Sequence, residues 1–312
     1  NGDSFKNSKI EQITIPKRIK SIEQDVFLHI CFSKIKISPQ NKHYSLINDQ
    51  LICAKSDPMD DIFDILYFVI GKKEELIIPS FIKIIKGGSL QNGYIEKITF
   101  EPNSQLQIID AGSFHGFGIK SLTIPSRVTT IREMAFYECY DLNTVDFEPN
   151  SNLKVLSSRA FFKSCIGTIK LPPQLEIIED GAFFIADIHN IIIPPDSMLK
   201  IIGNSAFERN ALTSINIPSQ VARIGSYSFN NCSILKNVNF MPGSKLKIIG
   251  EGAFNECSIE NIILPANLEI IESCSFIKNK LVNIVIPKSV TKIGCKAFKK
   301  CKFTYFCYFW WN

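Results

Sequence analysis

Ten cysteines, four histidines and a run of aspartates are the residues of this 312-residue chain that invite a chemical reading. A zinc site needs cysteines paired as Cys-x-x-Cys, or cysteine with a nearby histidine, to close a tetrahedron of ligands. Cys295, Cys301 and Cys307 are evenly spaced but offer neither. Cys139, Cys232, Cys257 and Cys301 each stand three residues after a phenylalanine, and Cys31 and Cys165 one residue later. A position that recurs in this way is a packing position, so these residues read as buried thiols. His29, His43, His115 and His189 share no spacing, and no metalloprotease, nucleophile-elbow or phosphate-loop pattern is present. Asp57, Asp60, Asp61 and Asp64 have the clustered carboxylates that Ca²⁺ would need, but the Asp57-Pro58 step reads more simply as a solvated hairpin turn. Gly250-Glu251-Gly252 precedes Phe254 and belongs to a repeat. No cofactor or metal is implied. Catalysis would need converging polar groups, whereas this sequence offers only columns, so the chain reads as non-enzymatic.

What must position any site is a repeat. The segment apolar-x-x-apolar-x-apolar followed by proline recurs as Ile119-Leu122-Ile124-Pro125, Ile166-Ile169-Leu171-Pro172, Ile188-Ile191-Ile193-Pro194, Leu212-Ile215-Ile217-Pro218, Ile259-Ile262-Leu264-Pro265 and Leu281-Ile284-Ile286-Pro287. Variants with one extra residue before the proline begin at Ile95, Leu142 and Leu235. From Ile95 onward the starts lie 22 to 24 residues apart, inside the leucine-rich-repeat range. A second apolar pair follows, as in Val128 and Ile131 or Val221 and Ile224. A small residue and phenylalanine close the unit, as in Ala135-Phe136, Ala206-Phe207, Ser228-Phe229 and Ala297-Phe298.

Apolar residues at alternate positions point to one side of a strand, and the proline ends it by removing the ladder donor and fixing φ. Twelve of the fifteen prolines take this place, which makes the strand stop a rule of the fold. One unit cannot bury its own apolar edge, so neighbours must stack. The reading is an α/β solenoid, strongly β-rich, of about twelve coils with short strands and few or no regular helices.

The solenoid reads as a single unit over residues 1–312. Near the start, Val26-Phe27 closes one turn and Phe32-Ile35-Ile37 opens the next. The rhythm then lapses over about 38–72, where two apolar runs around Lys55 to Asp61 predict a hairpin inserted into one enlarged coil. Residues 303–312 form an irregular aromatic end, with Phe303, Phe306 and Tyr308 on the register of a further strand.

Net charge is +5, too small and dispersed to argue for nucleic acid. Lys288, Lys292, Lys296, Lys299, Lys300 and Lys302 lie opposite in sign to Asp57, Asp60, Asp61, Asp64, Glu74 and Glu75, and both sets read as solvated faces. No stretch approaches the ~20 apolar residues of a membrane span. The chain begins with Asn, so a leader or anchor can lie outside it. Asn231-Cys232-Ser233 is a lone glycosylation sequon.

Two outward columns run up the strands. Lys97, Ser121, Thr144, Thr168, Asn190, Ser214, Asn237, Asn261 and Asn283 are nearly all short and polar, which suits a ladder of hydrogen-bonded side chains. The neighbouring column holds Thr99 and then Thr123, Asp146, Lys170, Ile192, Asn216, Asn239, Ile263 and Val285. It mixes charge, amide and exposed aliphatic groups as a recognition surface does, and these last eight residues are the candidate partner-binding site.

Leu281 to Cys301 resembles, almost residue for residue, the unit Leu-x-x-Ile-x-Ile-Pro-x-x-Val-x-x-Ile-Gly-x-x-Ala-Phe-x-x-Cys of the Treponema-type leucine-rich repeats of BspA-like surface proteins. The form Phe-x-Pro-x-Ser-x-Leu-x-x-Ile at Phe240 to Ile249, with Leu at its last position at Phe147 to Leu156, looks like the protist version found in Trichomonas and Entamoeba. The resemblance covers nearly the whole chain and implies a right-handed horseshoe. It also implies adhesion at the cell surface or from a secreted state, with protein ligands of the host matrix or of other cells. The competing class is a cytoplasmic scaffold that uses the same concave sheet for protein–protein interaction.

Overall fold

The computed structural model describes residues 11–23, 26, 34–71, 74–90 and 95–302. The readings placed on Phe27, His29, Cys31, Phe32 and the aromatic end 303–312 lie outside these residues.

Most periods supply a strand of three or four residues, as in Ser121–Ile124, Thr144–Phe147, Thr168–Lys170 and Asn190–Ile192, whereas 259–264 and 281–286, expected as strands from the pattern, form none. Alternation decides the burial: within Ser121–Ile124, Leu122 and Ile124 are buried while Ser121 and Thr123 are exposed. Equivalent strands pair parallel and in register, Ser121 with Thr144, Leu122 with Val145 and Thr123 with Asp146. Like therefore stacks on like, and one column of the sequence becomes one column of the surface.

The second apolar pair of each unit forms a two-residue strand such as Ile108–Ile109, Thr130–Ile131 or Ile248–Ile249. Ten of these, with the longer strands Ile65–Val69, Leu51–Ala54 and Tyr44–Ile47, join into a continuous thirteen-stranded sheet that runs from Tyr44–Ile47 to Lys292–Ile293. The longer strands of the repeat instead fall into separate groups, four strands from Ser121–Ile124 to Asn190–Ile192 and three pairs, Gln12–Ile15 with Lys34–Ile37, Glu75–Ile78 with Lys97–Phe100, and Ser214–Ile217 with Asn237–Phe240. The seam of the solenoid is thus the short-strand edge. Glycines show how close it is: a Cβ on Gly225 would lie 2.5 Å from the carbonyl carbon of Gly203, and one on Gly250 would lie 2.6 Å from that of Gly225.

The third side of each coil is built from turns, and among the described residues there is no α-helix, which makes the molecule a β-solenoid. The residues two before and two after each repeat phenylalanine have positive φ: Met134 and Glu138 around Phe136, Ser205 and Arg209 around Phe207, Tyr227 and Asn231 around Phe229. Two left-handed residues four apart forbid a helix there and bend the chain around the ring.

The rings themselves make the core. Phe114, Phe136, Phe161, Phe183, Phe207, Phe229, Phe254 and Phe276 are fully buried. Successive rings stack with centroids 4.6 to 5.4 Å apart. The small residue before each ring is required by a backbone contact. The N–H of Phe136 donates to the carbonyl of Ala160 at 2.8 Å, Phe161 to Ala182 and Phe229 to Ala253 at the same distance, and Phe207 to Ser228 at 2.7 Å. A bulky side chain at the accepting position would crowd this approach of main chain to main chain.

In the stretch where the rhythm lapses, Leu51–Ala54 pairs antiparallel with Ile65–Val69 across the polar turn, and Ile65–Val69 continues parallel to Ile84–Ile85. Tyr44–Ile47 adds a further hairpin to Leu51–Ala54. Its turn is Asn48-Asp49, both left-handed at φ 52° and 53°, as a type I′ turn requires.

Candidate functional site: the outward strand column

The eight residues singled out for partner binding, Thr123, Asp146, Lys170, Ile192, Asn216, Asn239, Ile263 and Val285, are all exposed. Pairing places Thr123 beside Asp146, Lys170 beside Ile192, and Asn216 beside Asn239. The Asn239 amide donates to Asn216 Oδ1 at 3.0 Å, so the two side chains hold each other flat along the column. Ile263 is 88% exposed and Val285 78%, on segments outside any ladder, while the residues before them, Ile262 and Ile284, are buried. Ile77, 53% exposed and paired with Thr99, extends the same column toward the N-terminus. Its signal in the sequence is its place between Leu76 and Ile78, just before Pro79.

The companion column behaves differently from its expected ladder. From Ser121 to Asn283 its members are exposed, and among the described residues no hydrogen bond links their side chains. Short Ser, Thr and Asn side chains that stand outward from parallel strands face water more readily than one another. Beside the two columns, a cleft of about 650 Å³ opens between Asn237–Phe240 and the segment 261–267, lined by Asn239, Phe240, Met241, Ile263 and Asn267.

A second concavity, about 910 Å³, lies on the turn side. His115, Tyr137, Phe162 and Phe184 each follow a buried ring and form an outer row, with Tyr137 stacked on Phe162, Phe184 tilted against Phe162 and His115 edge-on to Tyr137. Tyr137 and Phe162 are 5.2 Å apart, Phe162 and Phe184 5.1 Å. Met134 and Arg159 form its other wall. The signal for it was legible as aromatic residues one position after the repeat phenylalanine.

The aspartates do not act together. Asp57, Asp60 and Asp61 remain at the surface of the turn, but Asp64 is buried. This corrects the reading of all four as a solvated turn. Asp64 accepts from the Ser56 N–H at 2.8 Å and hydroxyl at 2.7 Å, and pairs with Lys83 at 2.9 Å. Burial opposes its ionisation, yet the bonds from Lys83 and Ser56 outweigh it and hold its pKa below the usual carboxylate range. It braces the turn against the next coil. Asp110 does the same between Lys86 at 2.8 Å and Arg132 at 2.9 Å. Among the described residues no cluster of His, Cys, Asp or Glu is arranged to hold a metal ion.

Of the cysteines read as buried thiols, Cys139, Cys232 and Cys257 are buried and have a definite task, whereas Cys165 and Cys301 are only half-buried, which corrects that reading for them. The Cys139 thiol donates to the carbonyl of Phe114 at 2.9 Å, Cys232 to Phe207 at 3.1 Å and Cys257 to Phe229 at 3.2 Å. Each caps the ring-bearing residue one coil back. Where the slot holds asparagine the amide does so instead, Asn210 to Phe183 at 2.7 Å and Asn279 to Phe254 at 2.6 Å. Burial pushes Cys53, Cys139 and Cys232 up to about 12, and Cys257 well above its usual value, so none is a nucleophile near neutral pH.

Leucine-rich-repeat solenoids are protein-interaction modules, and a regular stack of exposed side chains is how they work. No helix among the described residues is long and apolar enough to cross a membrane. No curated protein sequence matches the chain. Among solved structures, a leucine-rich repeat protein from Bacteroides ovatus is 26% identical, with a TM-score of 0.43 over 73% of this chain and 76% of that one. The pneumococcal vaccine antigen PcpA is 21% identical, with a TM-score of 0.50 over 94% of this chain and 71% of that one. A leucine rich cell surface protein from Faecalibacterium prausnitzii is 19% identical, with a TM-score of 0.43 over 83% and 73%. The model of the BspA type leucine rich repeat region matches residues 1–50, 83–201 and 200–309 in six copies. The columns, the stacked rings and that match agree: the chain belongs to the BspA-type leucine-rich-repeat family.

Proposed function

We propose that the chain is an adhesion module, displayed at the cell surface or secreted, whose strand column from Thr123 to Val285 contacts a protein of the host matrix or of another cell. The observation that carries this is the exposure of Ile263 and Val285 on a framework whose adjacent residues are buried. Covering each by a partner is worth up to ~1.5–3 kcal/mol, and the rigid stack loses little freedom in doing so. Asp146 and Lys170 add charge that orients the partner and speeds encounter. Surface display is supported by membership of a family of surface proteins.

The test is binding of the full chain to a panel of immobilised extracellular-matrix proteins, followed by surface plasmon resonance. Ile263→Glu with Val285→Glu is expected to weaken binding by roughly tenfold or more, and Asp146→Lys with Lys170→Glu to change its salt dependence. Unchanged affinity and salt response in both variants would remove the column from the interface. A membrane-impermeant label on intact cells separates this function from its rival. Modification of the chain supports display, while modification only after lysis points to the scaffold inside the cell.

A further inference from the structure

We propose that Cys274 and Cys295 form a redox-operated staple between the last two described coils. The inference stands apart from the strand face. Cys274 lies two residues before Phe276, in the left-handed slot at φ 62°, and Cys295 lies three residues before Phe298. The N–H of Cys274 donates to the carbonyl of Cys295 at 2.9 Å. One hydrogen bond between the two main chains keeps their Cα atoms within about 6 Å, inside the range a disulfide spans. Cys295 is exposed and Cys274 half-buried, which sets them apart from the sealed thiols of Cys53, Cys139, Cys232 and Cys257.

The repeat itself shows that side chains in these two slots meet. Tyr227 and Glu251 occupy the same positions two coils earlier, with the same main-chain bond at 2.7 Å. There the Tyr227 hydroxyl donates to Glu251 Oε1 at 2.9 Å, and the ring lies over the next residue, where a Cβ on Gly252 would be 2.6 Å from Cε1. Tyr227 and Cys274 are both left-handed, so their Cα–Cβ bonds leave the chain alike. The slot pair that brings a phenol onto a carboxylate directs the two cysteine side chains to the same side of adjacent coils.

A small-molecule disulfide such as oxidised glutathione supplies the oxidising equivalents. The Cys295 thiolate attacks it, forming a mixed disulfide and expelling one glutathione thiolate. The Cys274 thiolate then attacks the Cys295 sulfur and expels the second. Two protein thiols become one disulfide, and their two protons go to two glutathione thiolates. The closed loop spans one coil, so the staple holds the coil that carries the exposed strand Lys292–Ile293 to its neighbour. An oxidising exterior would lock this end of the solenoid, and a reducing cytosol would release it.

The experiment incubates the full folded chain with oxidised glutathione, blocks remaining thiols, and digests with trypsin and a Glu-specific protease. Peptides 273–278 and 293–296 each carry one of the two cysteines alone. They are expected linked, two hydrogens lighter than their sum, while a urea-unfolded sample gives scrambled pairs. Cys274→Ser and Cys295→Ser should each abolish the link with the far-UV circular dichroism retained. Native cleavage by trypsin after Lys296, Lys299 and Lys300 is expected to slow by up to roughly three-hundredfold in the oxidised chain, the loop-closure value for one coil. Glutathione adducts on Cys295 without the link, a different partner for Cys295, or unchanged cleavage in the linked protein would each overturn the proposal.

Discussion

Replacing Phe207 by alanine tests what holds the stack together. Its ring is fully buried and lies 5.2 Å from Phe183 and 5.3 Å from Phe229. Truncation removes the ring from two neighbours and leaves a cavity that the fixed coil spacing prevents from closing, at a cost of ~3–5 kcal/mol. Phe162 is the matched control. It stacks at similar distances, 5.2 Å from Tyr137 and 5.1 Å from Phe184, but is only half-buried. Phe162→Ala should therefore cost only ~1 kcal/mol, most of it ring contact and partial burial. Urea unfolding followed by far-UV circular dichroism measures both, with an unchanged m-value as evidence that the same surface is exposed. Equal losses would refute the reasoning, since ring stacking and not burial would then set the energy. A loss below ~1 kcal/mol for Phe207→Ala would show that neighbouring coils collapse into the gap.

Cys232→Ala leaves the Phe207 carbonyl without its donor and should cost ~1–3 kcal/mol, whereas Cys232→Asn, which copies Asn210 and Asn279, should be better tolerated in the same unfolding assay. Thiols raised from 9.0 to about 12 in the folded chain stabilise it fully below pH 9. Above pH 9 the unfolded chain binds fewer protons, so stability should fall as pH rises toward 12, and a melting temperature flat across that window would contradict the buried assignment. Gly225→Ala would place a methyl 2.5 Å from the Gly203 main chain and should cost more than ~2 kcal/mol by thermal melting. Gly243→Ala, with open space around it and φ 72°, should cost only ~1 kcal/mol for the strained backbone.

Much of this was readable without coordinates because the chain solves the same problem once per coil. Alternation in Ser121–Ile124 determines that Leu122 faces in and Thr123 out, and alignment of the repeat units places Thr123 beside Asp146. The column of Thr123 to Val285, the proline stops and the buried phenylalanines follow from local pattern plus stacking. What the sequence could not decide concerns distances between residues a period apart. The cysteines were assigned to packing, but that their thiols cap the carbonyls of Phe114, Phe207 and Phe229 depends on the advance from coil to coil. Asp64 looked like its exposed neighbours, and only the return of Ile65–Val69 beside Ile84–Ile85 buries it against Lys83. Likewise, the second apolar pair of each unit is legible in the sequence, but its pairing across coils is not. These pairs become the continuous seam because each coil's short strand pairs with that of the next from Ile84–Ile85 to Lys292–Ile293. Orientation is a local property of the backbone and is written in the order of residues. Proximity across coils is a property of the stack, and the tertiary structure alone decides it.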